Sequence, residues 1–400
     1  MDIYLYKIDV YLFGYYQLIL LYPCLFIDII YKILFYKTIL ENRLSFIFEI
    51  MFNSNIIKYL YIRKEINLNE KRVPLVPSDV EKLIKNGFSV YIESSPNRIF
   101  QDIEYISVGG IITTQPWYNK KFKNYLIIGI KELDNINKLN SHTHMYFSHS
   151  YLSQLGSQEI LSQFKKTSSI ILDFEYFYGG INIITKRLIS FSYYAGIVGA
   201  YLGLRQYLLK KSGLELSNLT YFESVNVLIN NLKLFLDFNL FKQNDIAIIG
   251  PNGSTAQGVK YILDSLGIGF EPIYKYTSKN NLDKYSILFN CIKLDLEQDE
   301  IWFSLDKSYF SNIIIVDISC DYSKPNNPIK IYNNKTTWEN PIFKPNKFID
   351  IIAIENLPSL IPLESSNYFS NILTNKLLLD FNFEQWDNNY KKYLSVIQNI

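Results

Sequence analysis

The chain has 400 residues, enough for two ordinary domains with sizeable cores. Its 40 basic and 38 acidic residues leave a net charge of +2, so no general field draws nucleic acid or lipid to it, and any charged partner must be met locally. Cysteine is confined to Cys24, Cys291 and Cys320, an odd and sparse set that suits a reducing, cytoplasmic compartment and offers no metal-ligand spacing.

Residues 1–60 differ from the rest. Residues 10–27 run for 18 positions without a charge, the lower edge of what spans a bilayer, but Pro23 interrupts the run, Asp28 closes it and Lys7 alone supplies a basic flank. The basic start and small-residue end of a cleavable signal are missing. An added extension, a membrane anchor and a genuine domain element all stay open, and membrane contact is expected only if the extension is real.

From Lys64 the text changes. KEINLNEKRVPLVPSDV places Arg72 in a turn before Pro74 and Pro77, and Ser78 as a cap for a helix over 79–86. A guanidinium so placed serves either a structural salt bridge or as a fork for a carboxylate. Residues 88–93 read as a strand and 103–110 as a helix. NYLIIGIKEL (124–133) reads as an apolar strand delivering Lys131 and Glu132 at its carboxyl end, the edge where open α/β sheets hold their chemistry. A lysine losing hydration there becomes a usable base, the neighbouring carboxylate pulling the other way; the plainer alternative is a lysine snorkelling from a strand end.

All the histidines, His142, His144 and His149, fall in SHTHMYFSHSY. H-x-H invites a zinc reading, but no cysteine or HExxH partner lies nearby. His149, after Tyr146 and Phe147, is the better candidate for proton transfer. SIILDFEYFY (169–178) predicts a strand with Asp173 and Glu175 on one face. Lys186 and Arg187 precede a long helix over 191–211 whose Ala195, Gly196, Gly199, Ala200 and Gly203 permit close packing. Residues 217–240 read as further helix.

DIAIIGPNGSTAQGVK (245–260) is a buried strand, a glycine turn and a helix start. Gly250 lets the chain leave the strand, and Gly253 lets an amide approach a phosphate at the positive end of the helix. The spacing of Gly250, Gly253 and Gly258 is not GxGxxG, and Ala256 stands where a third close glycine is expected. Strand-like runs at 272–276, 286–290, 312–318 and 349–354, with helical or polar segments between them, predict a doubly wound parallel sheet.

NEKRVPLVP, LIIGIKEL, FSHSY, LDFEYF, SFSYYAGIVGAYLGLR, FNCI, VDISCDYSKPNNPI and ENLPSLIPLESSNYFSNIL together resemble saccharopine dehydrogenase of the NAD-dependent, lysine-forming type, over about 64–373. A more remote similarity reaches alanine dehydrogenase and the transhydrogenase domain. The resemblance implies an α/β fold of two Rossmann-like domains with parallel sheets and the active site in the cleft between them. It divides the chain into a substrate domain, 61–190 plus 359–400, and a dinucleotide domain, 191–358. It implies oxidative cleavage of saccharopine to lysine and 2-oxoglutarate with NAD as cofactor, in lysine biosynthesis, by a cytoplasmic monomer without nucleic-acid partners or metal.

By that resemblance Lys131 and His149 match the acid-base pair, and Arg72, Gln154 and Arg187 bind substrate together with Lys131. Glu132 and Glu175 tune the charge. Lys186, Phe191, Gly250, Gly253, Ser254, Thr277, Lys293, Ile318, Glu355, Asn356 and Leu357 match cofactor-side positions. Thr277 stands where the family usually has an acid on the adenosine ribose, so NADP stays open, with Lys275 or Lys279 available to a 2′-phosphate. Thr255 stands where some members have a cysteine, which rules out a disulfide from that position to Cys291. Two other readings are kept: an alanine-dehydrogenase-like oxidoreductase, and a binding protein of the same fold without catalysis.

Overall fold

In a computed structural model of the chain, the described residues are 58–400 except 152–155, 180–185, 236–244, 275–281, 293–302, 305–311, 321 and 323–326. The hydrophobic run near the N-terminus lies outside them. Short apolar runs with β-branched side chains form the strands, and several of the segments between them form helices.

The first sheet is built from β1 (Tyr59–Ile62), α1 (Pro77–Lys85), β2 (Ser89–Glu93), α2 (Asp102–Ser107), β3 (Ile111–Thr113), β4 (Leu126–Ile128), β5 (Thr143–Tyr146), α3 (Ser157–Lys166) and β6 (Ile170–Asp173). Its strands lie in the order β3-β2-β1-β4-β5-β6, and every pairing is parallel. This is the doubly wound order, which reverses between β1 and β4 and opens a crevice beyond their carboxyl ends. The helix expected over 79–86 starts earlier, at Pro77. Val76 flanks it, and no side chain caps it, Ser78 included. Proline needs no acceptor for a missing N–H, so it takes the first turn in place of a cap.

A short antiparallel pair, β7 (Tyr178–Gly179) against β8 (Lys186–Arg187), precedes the 20-residue helix α4 (Ser192–Lys211). From the stretch expected to be helical over 217–240, the described residues give α5 (Val225–Lys233), capped by Ser224, whose Oγ accepts from Val227 N at 3.2 Å. The residues before it are tied as a connection, with Phe222 N donating to Leu360 O at 2.6 Å.

The second sheet follows: β9 (Ile246–Ile249), α6 (Ser254–Ser265), β10 (Glu271–Ile273), β11 (Ile287–Asn290), β12 (Phe303–Ser304), β13 (Ile313–Asp317), β14 (Ile329–Lys330), β15 (Phe343–Asn346) and β16 (Ile349–Ile352). Its order is β10-β9-β11-β13-β16-β15, parallel apart from the edge strand β15, and it reverses between β9 and β11. The strands β12 and β14 pair separately.

Helix α4 is a core element of this second sheet. Its Gly199 and Gly203 face Ile318, Val316 and Phe289, and its Gly196 meets α6 so closely that a Cβ would stand 1.9 Å from Thr255 O. The matching glycine on α6 is Gly258, where a Cβ would stand 1.9 Å from Tyr193 O. The third glycine of the turn region thus serves helix-to-helix contact, and Ala256, two residues earlier, is accommodated fully buried.

The C-terminal helices α7 (Pro362–Ile372) and α8 (Phe383–Ile397) return to the first sheet. Ser366 and Ser370 of α7 accept from Val73 N and Val76 N at 3.0 and 2.9 Å. From α8, Asn389 Nδ2 donates to Asp173 O at 2.7 Å and Tyr393 Oη to Ser169 O at 2.5 Å. Among the described residues no helix is long and apolar enough to cross a membrane.

Candidate active site

Each sheet presents a loop at its own reversal point. In the first, Lys131 follows β4 by three residues, and in the second, Gly250 follows β9 directly.

Lys131 is half-buried. Burial strips water from its ammonium and Arg72 pushes in the same direction, so its pKa lies below the ordinary lysine value; Glu132, Glu70 and Glu355 oppose the shift. Glu70 belongs to the first lobe and Glu355 follows β16 of the second, so the charges acting on this one amine come from both sheets.

Arg72 is 2% exposed and is gripped by Glu70, Nε to Oε1 at 2.7 Å and Nη2 to Oε2 at 2.6 Å. The salt bridge is therefore made, and the Nη1 side is the part of the fork left for a substrate. Burial alone would raise the Glu70 carboxyl, but Arg72, Lys131 and the hydroxyl of Ser359, which donates to Oε2 at 2.9 Å, hold it below the usual range. The guanidinium also lies 4.0 Å over the ring of Phe191, itself stacked on Phe369 at 4.6 Å.

His149 arises from the strand next to Lys131. Phe147 N donates to Ile130 O at 3.2 Å, and both side chains of interest follow within two residues of that bond, on one edge of one sheet. The backbone at His149 is left-handed, φ 51°, and its ring stacks on Phe147 at 6.1 Å. Phe147 in turn contacts Phe191 at 6.0 Å, so the histidine and Arg72 border one aromatic cluster.

The loop is held by Asp173, whose carboxylate accepts from Ser148 N at 3.2 Å, Ser148 Oγ at 2.6 Å and Glu175 N at 2.8 Å. Burial pushes Asp173 up to about 6 against these bonds. The strand expected to carry Asp173 and Glu175 on one face ends at Asp173. Residues Phe174–Tyr176 form a 3₁₀ turn capped by that carboxylate. Glu175 instead points to Arg187, which donates from Nη1 at 3.1 Å and reaches Ser192 Oγ from Nη2 at 3.4 Å.

His142 and His144 are brought nowhere near this edge chemistry. His144 stands on β5 and His142 just before it, both against Trp117, at 4.8 and 5.2 Å, and burial depresses both, His142 to about 4 and His144 well below its ordinary value. Among the described residues no cluster of His, Cys, Asp and Glu could hold a metal ion.

In the second lobe Gly250 has φ +72°, a conformation glycine adopts without strain, and its amide donates to Ile273 O at 3.0 Å. Gly253 flanks α6, whose first amides meet no side-chain cap, and a Cβ at Gly253 would find nothing nearer than 3.9 Å. This is an exposed cradle of uncapped amides that fits a pyrophosphate. Cys291 and Ile292, after β11, close the other side of the reversal point. Ile318 follows β13. Burial raises the Cys291 thiol, which is free.

Between the lobes a cavity of about 200 Å³ is lined by Glu70, Lys335, Trp338, Glu355, Asn356 and Ser359 among others. Glu355 accepts from Lys335 Nζ at 2.5 Å, Asn356 is left-handed at φ 62°, and Leu357 is buried beneath them. Gln154, Thr277 and Lys293 lie outside the described residues, as does the side chain of Lys186. Three organising groups went unnoticed as site residues in the sequence: Glu70, two positions before Arg72; Asp173; and Asp317, which accepts from Asn290 Nδ2, Cys320 N and Tyr332 Oη. The E-x-R spacing in NEKRVP was the one signal available for Glu70.

Two open, largely parallel sheets, each with its own reversal point, define a two-lobed, Rossmann-like α/β fold. The chain superposes on an L-alanine dehydrogenase with a TM-score of 0.62 at 15% identity, covering 84% of this chain and 94% of that one. Residues 61–198 match the family described as alanine dehydrogenase/PNT, N-terminal domain. Saccharopine dehydrogenase [NAD(+), L-lysine-forming] of Candida glabrata is 30% identical over 338 residues, 78% of this chain and 89% of the relative. The protein of that name from Schizosaccharomyces pombe is 29% identical over 368 residues, 86% and 99% of the two chains. The chain belongs to the saccharopine dehydrogenase [NAD(+), L-lysine-forming] family.

Proposed function

We propose that the protein oxidises saccharopine with NAD, releasing lysine and 2-oxoglutarate, and that residues 61–190 with 359–400 hold the substrate while 191–358 hold the dinucleotide. The observation that carries this is Lys131: an amine held below its ordinary pKa at a sheet reversal point, with Arg72, Glu70 and Glu355 acting on it from both lobes.

The amides of Gly253 and Ser254, reached through the turn at Gly250, would hold the pyrophosphate, with Ile318, Glu355, Asn356 and Leu357 on the nicotinamide side. The bound nicotinamide supplies a hydride acceptor. Lys131, neutral, takes the proton of the substrate's secondary amine as its C–H bond is oxidised. His149 removes a proton from the water that adds to the resulting imine, and returns it as the C–N bond of the carbinolamine breaks to free lysine. Arg72, through Nη1, and Arg187 anchor carboxylates, with Gln154 beside them; Glu132 and Glu175 keep the two bases and the arginines in balance. Aromatic packing of Phe191 and Phe369 under Arg72 excludes water from the guanidinium and strengthens its hold.

The test is a reductive assay of the purified full chain with lysine and 2-oxoglutarate, run with NADH and with NADPH. Oxidation of NADH dependent on both substrates is expected. Turnover of pyruvate and ammonia in its place would favour the alanine-dehydrogenase-like reading, and no binding of NADH at millimolar concentration would favour a protein without catalysis.

A further inference from the structure

Both backbone polar groups of Lys131 are held by one buried ion pair from the neighbouring strand. Just beyond β1, Glu65 Oε1 accepts from Ile130 N at 2.7 Å and Oε2 accepts from Lys131 N at 3.0 Å. Arg63 donates from Nη2 to Lys131 O, and its Nη1 lies 3.5 Å from Glu65 Oε2. The two side chains are 1% and 5% exposed. Gly129 makes room for this approach, since a Cβ there would stand 2.2 Å from Arg63 Nε.

A turn at a sheet edge ordinarily satisfies its amides with water or neighbouring backbone. Here they are satisfied by a carboxylate and a guanidinium taken out of water, an arrangement costly enough that packed apolar side chains often replace it without loss of stability. Burial raises the Glu65 carboxyl, and Arg63 and the two amides work against that rise. What the pair supplies in return is a fixed backbone on both sides of one Cα: the N–H of Lys131 pins the peptide group before that Cα and its C=O pins the one after it, so the first bond of the Lys131 side chain leaves the sheet in one direction.

We propose that Arg63 and Glu65 are positioning residues that fix the two peptide groups flanking the Lys131 Cα, from which the amine is aimed into the cleft. The proposal rests on Lys131 being the proton acceptor of the reaction above. Neither residue touches substrate; both act through Lys131, where a displacement of about 1 Å costs on the order of a hundredfold in rate.

Glu65→Asp keeps the charge and the partner of Arg63 but falls one methylene short of the two amides. We expect kcat to fall at least about tenfold with the KM for the nicotinamide cofactor changed less than about twofold. The pH at which the oxidative rate rises should move up, because a Lys131 amine released from its place regains water. Competitive acetylation of Lys131 as a function of pH, read by mass spectrometry, gives the same shift without turnover. It therefore separates this proposal from the assignment of the reaction. An upward shift in a protein that does not oxidise saccharopine leaves the positioning intact and removes the substrate. An unchanged acetylation profile in a folded variant overturns the positioning, whether or not the melting temperature has fallen. If the Asp variant does not fold, Glu65→Gln is judged by the same profile; loss of a negative charge there acts downward on Lys131, so an upward shift supports release all the more.

Discussion

Glu70 binds Arg72 along the full edge of its guanidinium, and the same carboxylate is one of the charges that act on Lys131. Glu70→Gln leaves Arg72 buried without its countercharge, an imbalance of about 3–5 kcal/mol in stability. The sign of its pH dependence follows from the lowered carboxyl. In the wild type this contribution is present above the ordinary glutamate value and lost as pH falls through the lower folded value. Urea unfolding at pH 7 should therefore show a large loss in the variant and a smaller one in acid. The limb of the oxidative pH–rate profile that belongs to Lys131 should also move to lower pH, because a charge that raised its pKa is gone.

Lys131→Met removes the amine and keeps much of the stem's packing. Turnover of saccharopine is expected to fall at least about a hundredfold, the scale of a lost general base. NADH affinity, measured by fluorescence titration, should change less than about threefold, because the amides at Gly253 belong to the other lobe. The limb belonging to Lys131 should vanish from the residual pH profile. Equal activity would remove the residue from the mechanism.

The strand-and-helix alternation was legible in the sequence because it is written in periodicity, and IAII, ILFN and IIIVD all became buried strands of one sheet. The motifs also gave the loop holding Lys131 and the glycine turn, since both follow apolar runs. Partners were not legible. Nothing in local spacing says that Arg63 and Glu65 reach across to the backbone of Lys131, 68 and 66 positions later. The strand drawn through Glu175 failed because an aspartate at a strand end binds the amide two residues on and turns the chain. Ser78 lost its role as cap to a proline already in the first turn. His142 and His144 looked like chemistry by clustering, and their surroundings made them core.

Asp173 titrates near 6 because burial disfavours its charge more than three donors favour it. A carboxyl raised above its unfolded value of 3.8 contributes stability that is fully present below about pH 4 and lost as pH rises through about 6. The displacement corresponds to about 3 kcal/mol. Asp173→Asn cannot ionise, so the difference in unfolding free energy between variant and wild type should move in favour of the variant by up to that amount from pH 4 to pH 7. A constant difference would show that Asp173 keeps an ordinary carboxyl. Because Ser148 and His149 share this loop, the variant should also alter the histidine-dependent limb of activity more than cofactor affinity.

Gly196 and Gly258 let α4 and α6 touch backbone to backbone, and α6 is the helix whose first amides face the pyrophosphate turn. A methyl at position 196 would meet Thr255 O at 1.9 Å, a distance no rotamer relieves, since both the Cβ and the carbonyl belong to the backbone frame. Either the helices separate or α6 slides along its axis, and Thr255 lies two residues past Gly253 on the segment that would move. Gly196→Ala is therefore expected to cost about 1–3 kcal/mol in stability, the scale of an overpacked core. It should also weaken NADH binding, measured by titration at a temperature where the variant is fully folded. Gly213→Ala is the control, at a helix end where a Cβ meets nothing within 4 Å but φ is +72°; it should lose stability through backbone strain alone and bind NADH as the wild type does. Equal loss of NADH affinity in both variants would mean that stability, and not the placement of the α6 amides, carries the effect.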